Sequence, residues 1–453
     1  MEERDVKPGS KIDLNPQSAI HNPQSDRSTH VVPQTYITSE FPPIGGVIKQ
    51  RPEDFLVDEI PLYQPSGSGE HIYLLVQKRG LSTLEMVDIV AAHFAVPRRA
   101  VGYAGLKDKH AITRQVVSVH VPGRKIEDFG ELRHEKIGVL WADSHANKLR
   151  PGHLKGNRFS VRIRGVKPTD VMTAQRVLAK LAKVGVPNRV GEQRFGMLEN
   201  NHLVGRAIVV GDFEAAVREL VGPSASHPEV NAEGRRLFAE GKFQEAVAAY
   251  PRSARTEQRV LHQLAVGATA RRAILSLDHA ILNYYLSAFQ SAVFNAVLDG
   301  RVAAGTLGEL REGDVAVKHE NGAAFAVTGD VASDAGTGAR LSSFEISPSG
   351  PMWSAGMMRA CGETDRAEVA ALEAFGVTVE QLARFDQAAK FGLEGKRRAL
   401  RVPVIDPEVE GGVDEHGAYV RCAFELPRGS FATVVMREVM KPAESKGAEW
   451  EED

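Results

Sequence analysis

The sequence predicts an α+β protein, and two observations carry that reading. Strand-patterned runs recur near the start, at 55–60, 71–76, 115–121 and 158–164, and return near the end at 419–424. Between these groups, from 200 to 300, apolar residues come back at helical spacing instead.

Residues 1–46 are rich in Pro, Ser, Asn and Gln and repeat Asn-Pro-Gln-Ser at 15–18 and 22–25. Such a segment cannot bury enough apolar surface to offset its chain entropy, so a disordered extension is expected. Strands at 55–60 and 71–76 flank a Pro-Ser-Gly-Ser-Gly turn at 65–69. Ser82 with Glu85 forms a capping box, which predicts a helix from there through Phe94, stopped near Pro97. The run 115–121 alternates Val117, Val119 and Val121 against polar residues and predicts a strand. In 158–164, Phe159, Val161 and Ile163 fall on one face and Arg158, Arg162 and Arg164 on the other. That basic face would border an anion or water. A helix is predicted over 171–184, ending at Gly185. Further helices are predicted at 213–220, 232–250 and 278–297, then short strands over 314–345 and a helix over 365–385. The piece 239–246 is like part of a tetratricopeptide helix, but no second copy supports a repeat array. A second basic cluster, around Phe391 and 395–403, precedes the last strand.

The 453 residues allow two or three domains, and 43% hydrophobic with 25% charged residues is ordinary for a soluble globular chain. The two cysteines, Cys361 and Cys422, cannot build a disulfide framework or a cysteine zinc site, and a reducing, cytoplasmic location is expected. No apolar run of about 18 residues suggests a membrane span. The net charge of −2 argues against bulk attraction to nucleic acid. Locally the balance differs: residues 98–167 hold 16 Lys and Arg against 6 Asp and Glu, a plausible phosphate-binding footprint.

Inside that region lies Gly102-Tyr103-Ala104-Gly105-Leu106-Lys107-Asp108-Lys109-His110-Ala111-Ile112-Thr113-Arg114-Gln115. Asp108 is ringed by basic neighbours, which favour the ionised carboxylate, and the two glycines permit a tight turn or a close approach. A positioned, ionised carboxylate can act as a nucleophile. The same residues also fit a solvated turn. His145 and His153 have no compelling metal-ligand spacing, and 102–105 lacks the Gly-Lys-Ser/Thr ending of a phosphate loop.

The pattern Gly105, Lys107, Asp108, Lys109, Ala111, Thr113, Gln115 resembles the signature of the TruD family of RNA pseudouridine synthases. Four further stretches resemble that family in order: Gly-Asn-x-Phe at 156–159, Pro-Asn-x-x-Gly-x-Gln-Arg-Phe-Gly at 187–196, Gln-Ser-x-x-Phe-Asn at 290–295, and Leu-Pro-x-Gly-Ser-Phe-Ala-Thr at 426–433. The resemblance implies a catalytic domain built on a mixed, mainly antiparallel sheet, interrupted by an inserted domain. By it the catalytic parts are 47–184 and 364–440, the insertion is 185–363, and 441–453 is an acidic tail. It implies isomerisation of uridine to pseudouridine in tRNA, near position 13 of the D-stem, with Asp108 catalytic and Lys107 holding it. Asn157, Phe159 and Phe424 would meet the target base, and Arg158, Arg162, Arg164 and Arg194 the RNA backbone. Cofactor and metal are not expected, nor is a membrane or an obligate protein partner, and a monomer is expected. Two other readings remain at this stage: a non-catalytic RNA-binding protein, and a synthase acting on another RNA. A glycoside hydrolase would need a paired second carboxylate, which no spacing here supplies.

Overall fold

A computed structural model of the chain describes residues 36–388 and 393–442. Residues 1–35 of the expected extension, Phe391 and the tail from 443 lie outside the described residues. The remaining part of the expected extension is packed, which corrects its boundary. Thr38 is fully buried, and its N–H and hydroxyl both donate to the Glu438 carboxylate, at 3.1 and 2.7 Å.

The first part of the chain gives β1 (Phe55–Pro61), β2 (His71–Arg79), α1 (Thr83–His93), β3 (Val101–Tyr103), β4 (Ile112–His120), β5 (Ile137–His145), β6 (Leu154–Arg164) and α2 (Val171–Val184). After β7 (Val186–Pro187) come seven helices: α3 (Asn201–Val210), α4 (Phe213–Val221), α5 (Ala232–Ala239), α6 (Phe243–Ala249), α7 (Arg255–Ala265), α8 (Ala270–Leu275) and the long α9 (His279–Ala303). There follow β8 (Val315–Lys318), β9 (Ala324–Ala326), α10 (Gly329–Ser333), α11 (Ala335–Ser342), β10 (Ile346–Met352), α12 (Gly362–Ala374) and α13 (Val379–Ala388). The chain closes with β11 (Lys396–Ala399), β12 (Arg401–Val402), β13 (Ile405–Asp414), β14 (Gly417–Pro427) and α14 (Ala432–Met440). The expected helix over 232–250 is thus two, broken around Gly241, and part of the expected strand region over 314–345 is α10 and α11.

The main sheet runs β13-β14-β6-β1-β4-β2-β5, with β3 also on β4. Every pairing is antiparallel except β1 with β4, so the sheet is mixed and mainly antiparallel as expected. One face is covered at one end by α1, whose Met86, Val87 and Val90 pack on Val76, Val117 and Val119. At the other end α2 and α14 bring Leu178, Leu181, Val435 and Val439 onto Val57, Phe159, Val161 and Phe424. Alternation on the strands explains this, since Val57, Phe159 and Phe424 stand in register and share a face.

A separate core joins α3 to α9 and draws in Trp353, Leu372, Val377 and Leu382. Helices α12 and α13 therefore pack with the helical body, and the chain returns to the main sheet only after about residue 400, later than the expected boundary at 364. The motif residues at the junction are stitches. Asn295 accepts from the Val190 N–H and donates to its carbonyl, both at 3.0 Å, and Asn188 donates to the Ala399 carbonyl at 2.9 Å. No helix among the described residues is long and apolar enough to cross a membrane.

Candidate active site

The parallel pair β1/β4 is short, and that shortness makes the site. The two strands pair only over 56–58 and 112–114, while β3 occupies the same edge of β4 farther along, at 117–119. Between them the edge of β4 is open. The Val116 N–H, left without a strand partner there, donates to Glu59 Oε1 at 3.2 Å, as a buried donor must find some acceptor. The loop 104–111 fills the mouth of this notch and is clamped from below. The Lys107 N–H donates to Thr83 Oγ1 at 2.8 Å, the Thr83 hydroxyl to Gln115 Oε1 at 3.3 Å, and Gln115 Nε2 to the Gly105 carbonyl at 3.2 Å. The terminal Gln of the motif is thus a backbone clamp.

Asp108 is held in a nest rather than in solvent. Its Oδ2 pairs with Lys49 Nζ, its Oδ1 accepts from the His110 N–H at 2.9 Å, and its side chain is 11% exposed. The expected partner is corrected here: Lys107 turns its ammonium to Glu59 at 2.6 Å, and both of those side chains are buried. Lys49 has a positive φ of 59°, a conformation uncommon for a residue with a Cβ and one found enriched at functional sites. Its ammonium also lies 4.8 Å from the Phe55 ring. Beneath Asp108 the fully buried Lys78 donates to the carbonyls of Leu81 and Asp108, the latter at 2.7 Å. Burial pushes the Lys78 ammonium down to about 8, although the nearby Asp108 charge pulls it back up.

Across β1, Asn157 stands opposite Glu59, and its buried Oδ1 has no hydrogen-bond partner among the described residues. Buried polar atoms are nearly always satisfied, so this one is available to a ligand. Gly156 before it cannot carry a side chain, because a Cβ would sit 2.2 Å from the Leu426 carbonyl oxygen of β14. Phe159 is 7% exposed, with its ring 6.3 Å from Phe55 and 5.8 Å from Phe424. Phe424 is fully buried and presents no surface, which corrects the expectation that it lines the site. Phe431, in the 426–433 motif, is 40% exposed instead.

The arginine row on β6 is also corrected. Arg158, Arg162 and Arg164 do share one face, opposite Asn157 and Phe159, but that face is not free. Arg158 meets Glu408 at 2.7 Å and Glu425 at 3.2 Å, and Arg162 meets Asp414 at 3.4 Å. Arg164 is buried between Asp54 and Asp414, both at 2.6 Å, and holds the Asp414 carboxyl well below its usual range. Arg194 lies far along the chain from this face, its guanidinium 5.3 Å from the Tyr284 ring of α9. Sequence reasoning missed Lys49, Glu59 and Lys78, each of which reads as an ordinary charged residue in or before a strand. No group of three His, Cys, Asp or Glu among the described residues is placed to hold a metal ion.

Comparison with known proteins agrees with this architecture. A family model described as tRNA pseudouridine synthase D (TruD) matches residues 31–439. Proteins named tRNA pseudouridine synthase D from Geobacter metallireducens and Geobacter sulfurreducens are 42% and 43% identical to this chain, over 90% of it and 97% and 96% of their own lengths. A crystal structure from Methanosarcina mazei, described as TruD, superposes with a TM-score of 0.77 at 27% identity, covering 90% of this chain and 95% of that one. The matched span contains the β1/β4 notch, the Asp108 loop and both edges of the helical body, and this chain belongs to the TruD family of pseudouridine synthases, which are isomerases.

Proposed function

We propose that this chain isomerises uridine to pseudouridine in tRNA, at uridine 13 in the D-stem region, with Asp108 as the catalytic carboxylate. One observation carries the assignment: a carboxylate fixed by an ammonium and a backbone N–H, at the open edge of a sheet whose next strand holds a buried Asn oxygen with no partner among the described residues. The reaction breaks the N1–C1′ bond, turns the uracil and joins C5 to C1′, so the C5 proton is lost and N1 regains one. No outside reagent is consumed. Asp108 serves either by attacking C1′ or by taking the 2′ hydrogen to give a glycal. In both routes Lys49, paired with the carboxylate, keeps it aimed.

The uridine must leave its stack to reach this notch. Asn157 Oδ1 then accepts from the uracil N3–H, an acceptor-to-donor match that cytosine, which has no proton on N3, lacks. The Phe55 and Phe159 rings wall the base, and the exposed Phe431 is the aromatic of the 426–433 motif that can stack on it. Arg194, resting on Tyr284, contacts backbone phosphate from the helical side. The chain works as a monomer in the cytoplasm, with tRNA as its partner.

Single-turnover assay of purified wild type and Asp108→Asn on an unmodified tRNA transcript tests the reading. Product in the wild type at position 13 is expected, with the variant at background and its RNA affinity kept. Turnover by the variant would remove Asp108 from the chemistry; binding without product in the wild type would leave an RNA-binding protein; product at a different uridine would move the substrate assignment.

A further inference from the structure

The loop between β5 and β6 builds a second cationic feature whose side chains are not neutralised. Tyr63, His145, Asn147, Lys148, Arg150 and His153 line a cleft of about 490 Å³ with no carboxylate among them. Among the described residues Arg150 has neither an ion pair nor a side-chain hydrogen bond. The lining carries an ammonium and a guanidinium, with the Tyr63 hydroxyl, the Asn147 amide and two imidazole rings around them.

The cleft is preformed. Tyr63 O–H and His153 Nδ1 are 2.9 Å apart, and the His145 ring stacks on Tyr63 at 5.3 Å and abuts Tyr73 at 4.7 Å. The Tyr73 hydroxyl donates to the Asn147 carbonyl at 2.9 Å, and the Leu149 N–H donates to Ser118 Oγ at 2.9 Å. Lys148 Nζ is braced on the Arg99 carbonyl. Gly102 is required for this packing, because a Cβ there would lie 2.3 Å from the Leu149 carbonyl oxygen. The loop is joined to the catalytic segment directly: the Gly152 N–H donates to the Ala104 carbonyl at 2.7 Å, four residues before Asp108. Arg428, three residues before Phe431, donates to the Gly152 carbonyl at 3.0 Å. The cleft therefore adjoins both loops that border the notch.

We propose that this cleft is a phosphate subsite, holding a backbone phosphodiester of the RNA near the flipped uridine, with Arg150 as its principal charge. A cleft that holds two cationic side chains and no carboxylate suits a phosphodiester, which carries one negative charge and no proton to give. Contacts of this kind fix register and orientation without reading sequence. The inference rests on the RNA reading above and goes beyond it in assigning the anchoring charge to this loop rather than to the β6 arginines.

The test is fluorescence polarisation of an unmodified tRNA transcript against the full chain over a series of salt concentrations. Arg150→Gln is expected to weaken binding and to lower the slope of log affinity against log salt by roughly 0.7–0.9, the release of one counterion. Arg150→Lys keeps the charge and the wild-type slope, and so does Arg162→Gln on the neutralised face. An Arg150→Gln slope equal to wild type, at an unchanged melting temperature, overturns the subsite. So does protection of the wild type, but not of Arg150→Gln, by inorganic phosphate with the tRNA slopes equal, which would make this a free-anion site. If the wild type binds no tRNA, the RNA reading itself falls. If it binds and modifies tRNA while Arg150→Gln matches its slope, only the subsite falls.

Discussion

The two faces of β6 carry opposite kinds of charge economy. On one face Asn157 leaves a buried oxygen unpartnered beside a notch where Lys49, Lys78 and Lys107 converge around one carboxylate loop. On the other, Arg158, Arg162 and Arg164 are matched to Glu408, Glu425, Asp414 and Asp54, so the row is a structural seam joining β6 to β13, to β14 and to the turn just before β1. Both faces come from the same basic stretch of sequence. What separates them is where the acids fold to: Asp414 lies 250 residues after Arg164. A surplus of lysine and arginine in a segment thus measures attraction to an anion only after the partners from elsewhere in the chain have been subtracted.

The sharpest way to break this comparison is at its most buried pair. Arg164→Gln removes the guanidinium from between Asp54, which is fully buried, and Asp414. Removing one partner of a buried pair strands the other charge, at a cost of about 3–5 kcal/mol. Chemical denaturation should show that loss, while the salt dependence of RNA binding stays at the wild-type slope. A stable variant with a shallower salt slope would return Arg164 to the RNA interface.

The next effect lies on the catalytic face. Lys78→Met keeps the packing volume but deletes the donors that hold the Asp108 and Leu81 carbonyls, and small misplacement of a reacting group costs up to about 10²-fold. A fall in kcat of about tenfold to a hundredfold is expected, with KM little changed. The pH dependence of stability identifies the charge. Because burial lowers Lys78 from 10.5 to about 8, the folded state binds its proton less well than the unfolded state does. Its contribution is therefore complete above 10.5 and is lost as pH falls to about 8, by on the order of 1.4 kcal/mol per unit of difference. The wild type should gain stability over that window relative to Lys78→Met, and parallel pH profiles would show that Lys78 is not the titrating group.

Local signals in the sequence were good guides where the physics is local. The Ser82–Glu85 box does cap α1, α2 runs over 171–184 as its periodicity requires, and within the 102–115 stretch a loop at 104–111 carries Asp108 between β3 and β4. Long-range electrostatics left no such trace. Lys49 reaches Asp108 across 59 positions, and nothing near either residue distinguishes that pairing from Lys107 next door. Phe424 and Phe431 illustrate a subtler limit. Phe431 lies in the 426–433 motif and Phe424 two residues before it, and only the alternation of β14 followed by the turn at Gly429 decides that the first in sequence is core and the second exposed. The resemblance placed 364–440, with α12 and α13, in the second catalytic part, whereas their apolar faces fit the helical core.

The smallest expected effect concerns Arg158, the member of the seam nearest the catalytic end of β6. It is about one third exposed and meets two carboxylates that are themselves partly in water, so its charge is already compensated but weakly held. Exposed pairs of this sort contribute about 0–1 kcal/mol. Arg158→Gln should therefore melt within a few degrees of the wild type and bind tRNA with the same salt slope. The informative variant is Glu408→Gln, which frees part of the Arg158 charge without removing it. If the seam is only structural, tRNA affinity is unmoved by that release. If the seam borders the RNA path, Glu408→Gln tightens binding and steepens the salt slope, and the boundary between the two faces of β6 would have to be drawn closer to the notch.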